Sequence, residues 1–173
     1  MTSFRDRIVA FKRVKAKDLI PHPENWRVHT DGQRQAMSGI LAEVGFVDAL
    51  MVRATEDGEL MIIDGHLRAE TAPDAEIPVL IVDLSDEEAR KVLATFDPLA
   101  ALAVGDKEAL GKLLHGMHFE NDGLTNMLED LAKEHGIDPN AIADDSPVDL
   151  DGEGATIEGV IHACPKCGFQ WQS

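Results

Sequence analysis

Apolar and polar residues alternate over some stretches of the chain and recur every three to four positions over others. Alternation, or a short apolar run between turn residues, is typical of a β-strand. The sequence therefore predicts strands over 11–15, 49–55, 58–64 and 77–84, with a turn at Asp57-Gly58 between the second and the third. The stretch 19–30 contains two prolines and predicts an irregular loop.

Helical spacing predicts the first helix of the chain. Apolar residues at positions 37, 40, 41 and 44 follow a candidate cap at Thr30 or Asp31, and Gly45 is expected to end the helix. A second, short helix is expected directly after Gly65, where the third predicted strand has ended.

The remaining helices follow the last predicted strand. Residues 85–88 (Ser-Asp-Glu-Glu) form a capping box, which begins a helix that runs to about residue 94. Asp97-Pro98 is expected to begin another short helix. Helical spacing over 106–117 and 124–135 predicts two more, and Gly136 is expected to end the last one.

The order of these elements is strand, helix, two strands, short helix and strand, followed by helices alone, which predicts an α+β fold. The main domain is expected over 8–104, with a helical extension over 105–142. An acidic linker over 143–155 precedes a small C-terminal unit over 156–173. The sequence contains neither a Walker motif nor a GxGxxG motif.

The composition narrows the class of protein. With 44% hydrophobic residues the chain can bury a core, and no apolar run reaches the length of a membrane span. The first residues are charged and lack the apolar core of a signal peptide, so a cytoplasmic protein is expected. A net charge of -16 argues against non-specific coating of DNA, whose affinity rests on neutralised phosphates.

The positive charge is nevertheless concentrated near the N-terminus. Residues 1–35 hold eight of the 16 Lys and Arg residues. A local contact with DNA is therefore expected through Lys12, Arg13, Lys15 and Lys17. The alternative is a solvated, charged strand without a partner.

The stretch IIDGHLRAE (62–70) carries the densest set of reactive groups. A helix N-terminus favours anions, and Gly65 lets a backbone approach a ligand. Arg68 could bind a phosphate with two N–H groups, and His66 could bind it or move a proton. Asp64 could hold a metal ion or cap the helix, and Glu70 could act as a base or a magnesium ligand. The alternative is a turn whose polar groups face water.

Several motifs, in order, resemble the N-terminal domain of the ParB family in its small "ParB-like nuclease" form. They cover about half of the chain, from about residue 14 to about residue 103. The matching segments are DLIPHPENWRVHT (18–30), GQRQAMSGILAEVGFVDALMVR (32–53), IIDGHLRAETA (62–72) and IPVLIVDLSDEEARKVLATFDPLA (77–100). The resemblance implies a compact ParB/sulfiredoxin-like α+β domain. Known members include CTP-binding partition proteins, ATP-using sulfiredoxin, ADP-using serine kinases and proteins described as nucleases.

The same resemblance implies a nucleotide site. It points to Gly65, His66 and Arg68 as phosphate contacts, with Asn25 and Arg27 as neighbours in the same pocket. The implied ligand is a nucleoside triphosphate with Mg²⁺, and the choice between CTP and ATP stays open.

The sequence departs from the family at several functional positions. His66 and Leu67 replace the first two residues of a Glu-Arg-Arg run, which disfavours CTP hydrolysis. A histidine also stands where sulfiredoxin has its catalytic cysteine. Asp97-Pro98 stands where many relatives have Asn-Arg. No helix-turn-helix domain follows, which disfavours a role in chromosome partition.

The C-terminal unit contains a candidate zinc site. Cys164 and Cys167 have the C-x-x-C spacing of a zinc knuckle, and His162 is a third candidate ligand. A zinc-ribbon-like hairpin is therefore expected. The fourth ligand could come from a second chain in a homodimer, or from one of the histidines at 115, 118 and 135. A pair of free thiols and a redox pair are the alternatives.

Three functions stay open at this point. The first is a nucleotide-binding protein that acts with DNA in a phage or mobile-element setting. The second is an enzyme of the same fold, either a metal-dependent nuclease or a nucleotide-dependent phosphotransferase or NTPase, with Asp64, His66 and Glu70 as catalytic residues. The third is a module that binds an unknown protein partner and whose nucleotide pocket is vestigial.

Overall fold

A computed structural model describes residues 4–142, 161–163 and 170–172. In chain order the elements are β1 (Ile8–Lys15), β2 (Leu19–Ile20), α1 (Asp31–Glu43), β3 (Leu50–Ala54), β4 (Leu60–Asp64), α2 (His66–Thr71), β5 (Glu76–Val82), α3 (Asp86–Ala101), α4 (Lys107–Leu114), α5 (Asp122–Glu134), β6 (Ile161–Ala163) and β7 (Gln170–Gln172). In the described part of the chain, no helix combines the length and the apolar character needed to cross a membrane.

Five strands form one mixed sheet in the order β1-β5-β3-β4-β2. β1 pairs with β5, and β3 with β4, in antiparallel fashion, whereas β3 with β5 and β2 with β4 are parallel. Alternate residues of the central strands β3 and β5 form the centre of the core. Leu50, Val52, Ile77 and Val79 are completely buried there, as period-two alternation in a sheet requires.

Two capping boxes begin the helices that flank the sheet. The Thr30 hydroxyl accepts a hydrogen bond from the Gln33 N–H, and the Gln33 side chain accepts one from the Thr30 N–H. Ser85 and Glu88 do the same at the start of α3. Each box satisfies backbone donors that the first turn of a helix leaves unpaired.

The helical extension has a small core of its own. Leu114, Ala132 and Ile142 are buried together, and α5 packs along α1. The two helices approach closely at Gly39, where a Cβ atom would lie 2.7 Å from the Asn121 side chain. Glu43 of α1 accepts hydrogen bonds from the Glu120 and Asn121 N–H groups, which joins α1 to the start of α5.

Two local predictions were wrong. The first two residues of the predicted loop form β2, because Leu19 is buried against the core when β2 pairs with β4. The predicted break before Pro98 does not occur, and α3 continues to Ala101. Pro98 is exposed, so the carbonyl group that loses its helical hydrogen bond can bond to water instead.

The predicted acidic linker lies entirely outside the described residues. β6 and β7 pair in antiparallel register, with His162 opposite Trp171. Cys164 and Cys167 between them lie outside the described residues.

Candidate functional site

The turn between β4 and α2 depends on Gly65. Its φ of 97° lies in the left-handed region, which residues with a side chain rarely adopt. A Cβ atom at this position would lie 2.5 Å from the Cγ atom of Leu50, which is completely buried. Glycine is therefore required here by the fold itself, independently of any ligand.

His66, the first residue of α2, is buried and already bonded. Its Nε2 atom accepts a hydrogen bond of 3.2 Å from the backbone N–H of His22. His22 is buried as well, and its Nδ1 atom accepts one of 3.1 Å from the Glu24 N–H. Burial lowers the pKa of both imidazoles below the ordinary value for histidine. His66 is thus a neutral acceptor that holds the 22–29 loop against α2.

Arg68 lies further along the first turn of α2 and is mostly buried. Its Nη1 atom donates to Asp48 Oδ2 at 2.6 Å, and its Nη2 atom donates to Asp64 Oδ2 at 3.0 Å. The hydrogen bond from Arg68 holds the pKa of the Asp48 carboxyl below its ordinary value. Two carboxylates therefore already neutralise this guanidinium group.

A second arginine faces the same cleft from the 22–29 loop. The Arg27 guanidinium carbon lies 5.0 Å from the centre of the Trp26 ring, and its Nε atom forms an ion pair with Asp97 of α3. The Trp26 Nε1–H donates to the Leu93 carbonyl at 3.2 Å, which fixes the indole ring on α3. Asn25 completes the arrangement, since its Oδ1 atom accepts a hydrogen bond from the Arg27 N–H at 3.3 Å.

These groups line one open cleft of about 190 Å³ between the 22–29 loop, α2 and α3. Arg27 and Arg68 supply two positive charges to its wall, and Asp64 and Asp97 supply two negative charges. The charges of these four groups cancel. Because α2 has only six residues, its dipole adds little positive potential. An anion would therefore have to separate an ion pair or arrive with a cation.

The structure brings together six of the seven predicted residues of this site. Asn25, Arg27, Asp64, Gly65, His66 and Arg68 all line the cleft. Glu70 does not: it is exposed, and its Oε2 atom lies 4.0 Å from Arg34 Nη2. Glu70 lies one helical turn beyond His66, so its exposed side chain reaches Arg34 and solvent beyond the end of the cleft.

Sequence reasoning missed two carboxylates that form ion pairs with the arginines of the cleft. Asp48 precedes β3 and gives no signal in the sequence, because its contact with Arg68 depends on how β3 and β4 pair. Asp97 was predicted only to begin a short helix, whereas in the structure it is the ion-pair partner of Arg27.

The predicted DNA-contacting residues lie at one edge of the sheet. Lys12, Arg13 and Lys15 of β1 are exposed, and none of them forms a salt bridge with a described residue. Lys17, just beyond β1, differs, since its Nζ atom lies 2.9 Å from Asp74 Oδ1.

The described residues contain no group of three side chains able to hold a metal ion. The predicted zinc ligands Cys164 and Cys167 lie outside the described residues, and of His162 only the backbone position in β6 is described.

Comparison with known proteins identifies the fold. No protein-family profile and no curated protein sequence matches the chain. Among solved structures, it resembles a C-terminally truncated chromosome-partitioning protein ParB from Caulobacter crescentus in complex with CTP-γ-S. That similarity has a TM-score of 0.54 at 16% identity and covers 78% of this chain and 76% of that one. The predicted α+β, ParB-like fold is therefore confirmed.

Two further structures are more distant. The Caulobacter crescentus ParB in complex with the centromeric parS site has a TM-score of 0.42 at 17% identity, over 76% of this chain and 68% of that one. A Pnob8-like ParB-N domain has a TM-score of 0.44 at 15% identity, over 79% of this chain and 67% of that one. At these scores the similarity supports no inference about this chain.

Proposed function

We propose that this protein is a ParB-like nucleotide-binding module, and that the cleft between the 22–29 loop, α2 and α3 binds a nucleoside triphosphate as its Mg²⁺ complex. The observation that carries the proposal is the convergence of Arg27 and Arg68 on one cleft beside Gly65. The structural neighbour with the same fold was solved with CTP-γ-S, which favours a nucleotide over other anions.

The proposal includes Mg²⁺ because carboxylates already pair with the arginines of the cleft. A free triphosphate would meet Asp64 and Asp97 as well as the two arginines. A magnesium ion bound to the phosphates would let the carboxylates turn to the metal and the guanidinium groups to the phosphate oxygens. One or two carboxylates together with phosphate oxygens and water are the usual ligands of Mg²⁺. Asp64 and Asp97 would therefore hold it, and it would neutralise phosphate charge.

The enzyme hypothesis fits the site less well than the binding module. As a catalytic base, His66 would have to release the hydrogen bond that its Nε2 atom accepts from His22, and burial lowers its pKa and so its strength as a base. Glu70 lies outside the cleft, so Asp64 is the one predicted catalytic residue in a position to act on a ligand there. Binding without turnover is thus the expected behaviour.

Two further parts of the proposal rest on the sequence pattern. DNA is the proposed partner of Lys12, Arg13 and Lys15, whose charges carry no salt bridge to a described residue. Cys164, Cys167 and His162 are the proposed ligands of a zinc ion, and a second chain in a homodimer would complete the site. The phage or mobile-element setting rests on the motif resemblance alone.

One experiment separates binding from turnover. Purified protein is incubated with each nucleoside triphosphate and Mg²⁺, with and without duplex DNA, and thermal unfolding and phosphate release are both followed. We expect one nucleotide to raise the melting temperature without release of phosphate, because ligands that bind the native state stabilise it. Phosphate release or cleaved DNA would establish the enzyme instead. No stabilisation by any nucleotide would refute the proposal.

A further inference from the structure

The strand β1 forms an open edge of the main sheet. Among the described residues it has β5 as its one neighbouring strand, so every second residue of β1 directs its backbone N–H and C=O groups away from the sheet. Proteins usually keep such edges short, and β2 at the opposite edge has only two residues. β1 contains no proline, and beyond a register shift between Ile8 and Ala10 it pairs continuously with β5 from Ala10 to Lys15, which leaves six regular residues to template another strand.

The side chains of β1 combine exposed apolar and cationic groups. Val9 is 61% exposed and Phe11 is 58% exposed, although both lie within the strand. Lys12, Arg13 and Lys15 follow directly, and none has a salt-bridge partner among the described residues of a chain with a net charge of -16. The described part of the chain thus leaves this positive strip without a neutralising carboxylate.

We propose that β1 binds an extended peptide with alternating apolar and acidic side chains, which adds to the sheet as a further strand. The backbone edge would supply hydrogen bonds along the peptide, and its apolar residues would lie beside Ala10 and Val14, on the face of β1 that packs against the core. Its acidic residues would lie on the opposite face, beside Arg13 and Lys15, and cross-strand pairs of opposite charge stabilise neighbouring strands. The peptide and DNA phosphates would compete for Arg13 and Lys15, which makes the acidic strand an inhibitor of DNA contact.

This inference does not depend on the nucleotide cleft, and only the competition with DNA rests on the proposed function. The test measures fluorescence anisotropy of a labelled peptide of about ten residues that alternates valine and glutamate. The full chain is expected to bind it. A peptide methylated on every second backbone nitrogen is expected to lose binding, because strand addition needs those N–H groups whereas charge attraction does not.

Charge reversal tests the side-chain half of the proposal. The triple variant Lys12→Glu, Arg13→Glu, Lys15→Glu is expected to bind the acidic peptide about threefold to a hundredfold more weakly. It should instead bind a peptide that alternates valine and lysine, which shows that the variant has folded. The control variant Lys91→Glu, Lys112→Glu, Lys133→Glu makes the same charge change on α3, α4 and α5 and should bind like the unmodified protein.

Several results would overturn the proposal. Equal binding of the methylated peptide would show simple charge attraction. Duplex DNA that binds while the peptide does not would assign the strip to nucleic acid alone. A dimer in sedimentation that dissociates in the β1 variant would show that a second copy of the chain covers the edge.

Discussion

Replacing Gly65 with alanine separates a structural role of this residue from a role in ligand binding. Alanine at a φ of 97° costs about 1–2 kcal/mol, because left-handed backbone brings Cβ close to the following carbonyl group. The new Cβ atom would also lie 2.5 Å from Leu50 Cγ. Since Leu50 is completely buried, its displacement adds about 1–3 kcal/mol, as other overpacked cores show.

Gly65→Ala is therefore expected to lower the free energy of unfolding by about 2–5 kcal/mol, a large share of the ~5–15 kcal/mol typical of a domain. The melting temperature should fall by about 2–4 °C for each kcal/mol lost. Chemical denaturation followed by circular dichroism measures the free energy directly.

Gly58→Ala is the matched control. Gly58 has a similar φ of 84°, but a Cβ atom added there would meet nothing within 4 Å, so only the backbone strain of about 1–2 kcal/mol applies. If both variants lost the same free energy, the close contact with Leu50 would not exist. If Gly65→Ala were as stable as Gly58→Ala and failed only to bind nucleotide, Gly65 would serve the ligand alone.

Three further predictions follow from the same geometry. Burial lowers the pKa of His22 and His66, so the stability that their neutral forms provide is complete above the ordinary histidine pKa and is lost as the pH falls through the lowered value. The free energy of unfolding should therefore decrease from about pH 7 to pH 5, and His66→Gln should make this decrease smaller. If the free energies of the variant and the unmodified protein changed in parallel with pH, the hydrogen bond to His22 would be contradicted. Asp48→Asn removes one of the two negative charges that neutralise Arg68, and it should tighten nucleotide binding by up to about fivefold in calorimetry. Weaker binding would show instead that Asp48 positions Arg68 for the ligand. Metal analysis of purified protein should find zinc that the double variant Cys164→Ser, Cys167→Ser lacks, and equal metal content in both proteins would refute the knuckle.

Much of the fold could be predicted because its determinants are local. The turn at Asp57-Gly58, the helix cap at Thr30 or Asp31 and the capping box at Ser85 depend on neighbours within three or four positions, and the structure contains the turn, a cap at Thr30 and the box. The error at Pro98 has a different origin. Its cost depends on whether the freed carbonyl group meets water, which the sequence does not reveal.

The site was harder to predict because its partners are distant in sequence. Arg68 and Asp48 are 20 residues apart, and His66 and His22 are 44 residues apart. The motif 62–70 located the arginine and the histidine, but it gave no indication that the histidine is buried or that the arginine is already neutralised. The requirement for Gly65 likewise depends on Leu50, which pairing of β3 with neighbouring strands brings into contact.

Isothermal titration calorimetry with CTP and ATP tests the central claim most directly. Arg27→Ala is compared with Arg90→Ala, since both arginines pair with a carboxylate beside α3 but only Arg27 lines the cleft. The unmodified protein and Arg90→Ala should bind one nucleotide in Mg²⁺ and lose it when the metal is chelated. Arg27→Ala should bind about tenfold or more weakly, as expected for loss of a charged hydrogen bond. Absence of binding by every nucleotide, or equal affinity of the two variants, would contradict the assignment of this cleft.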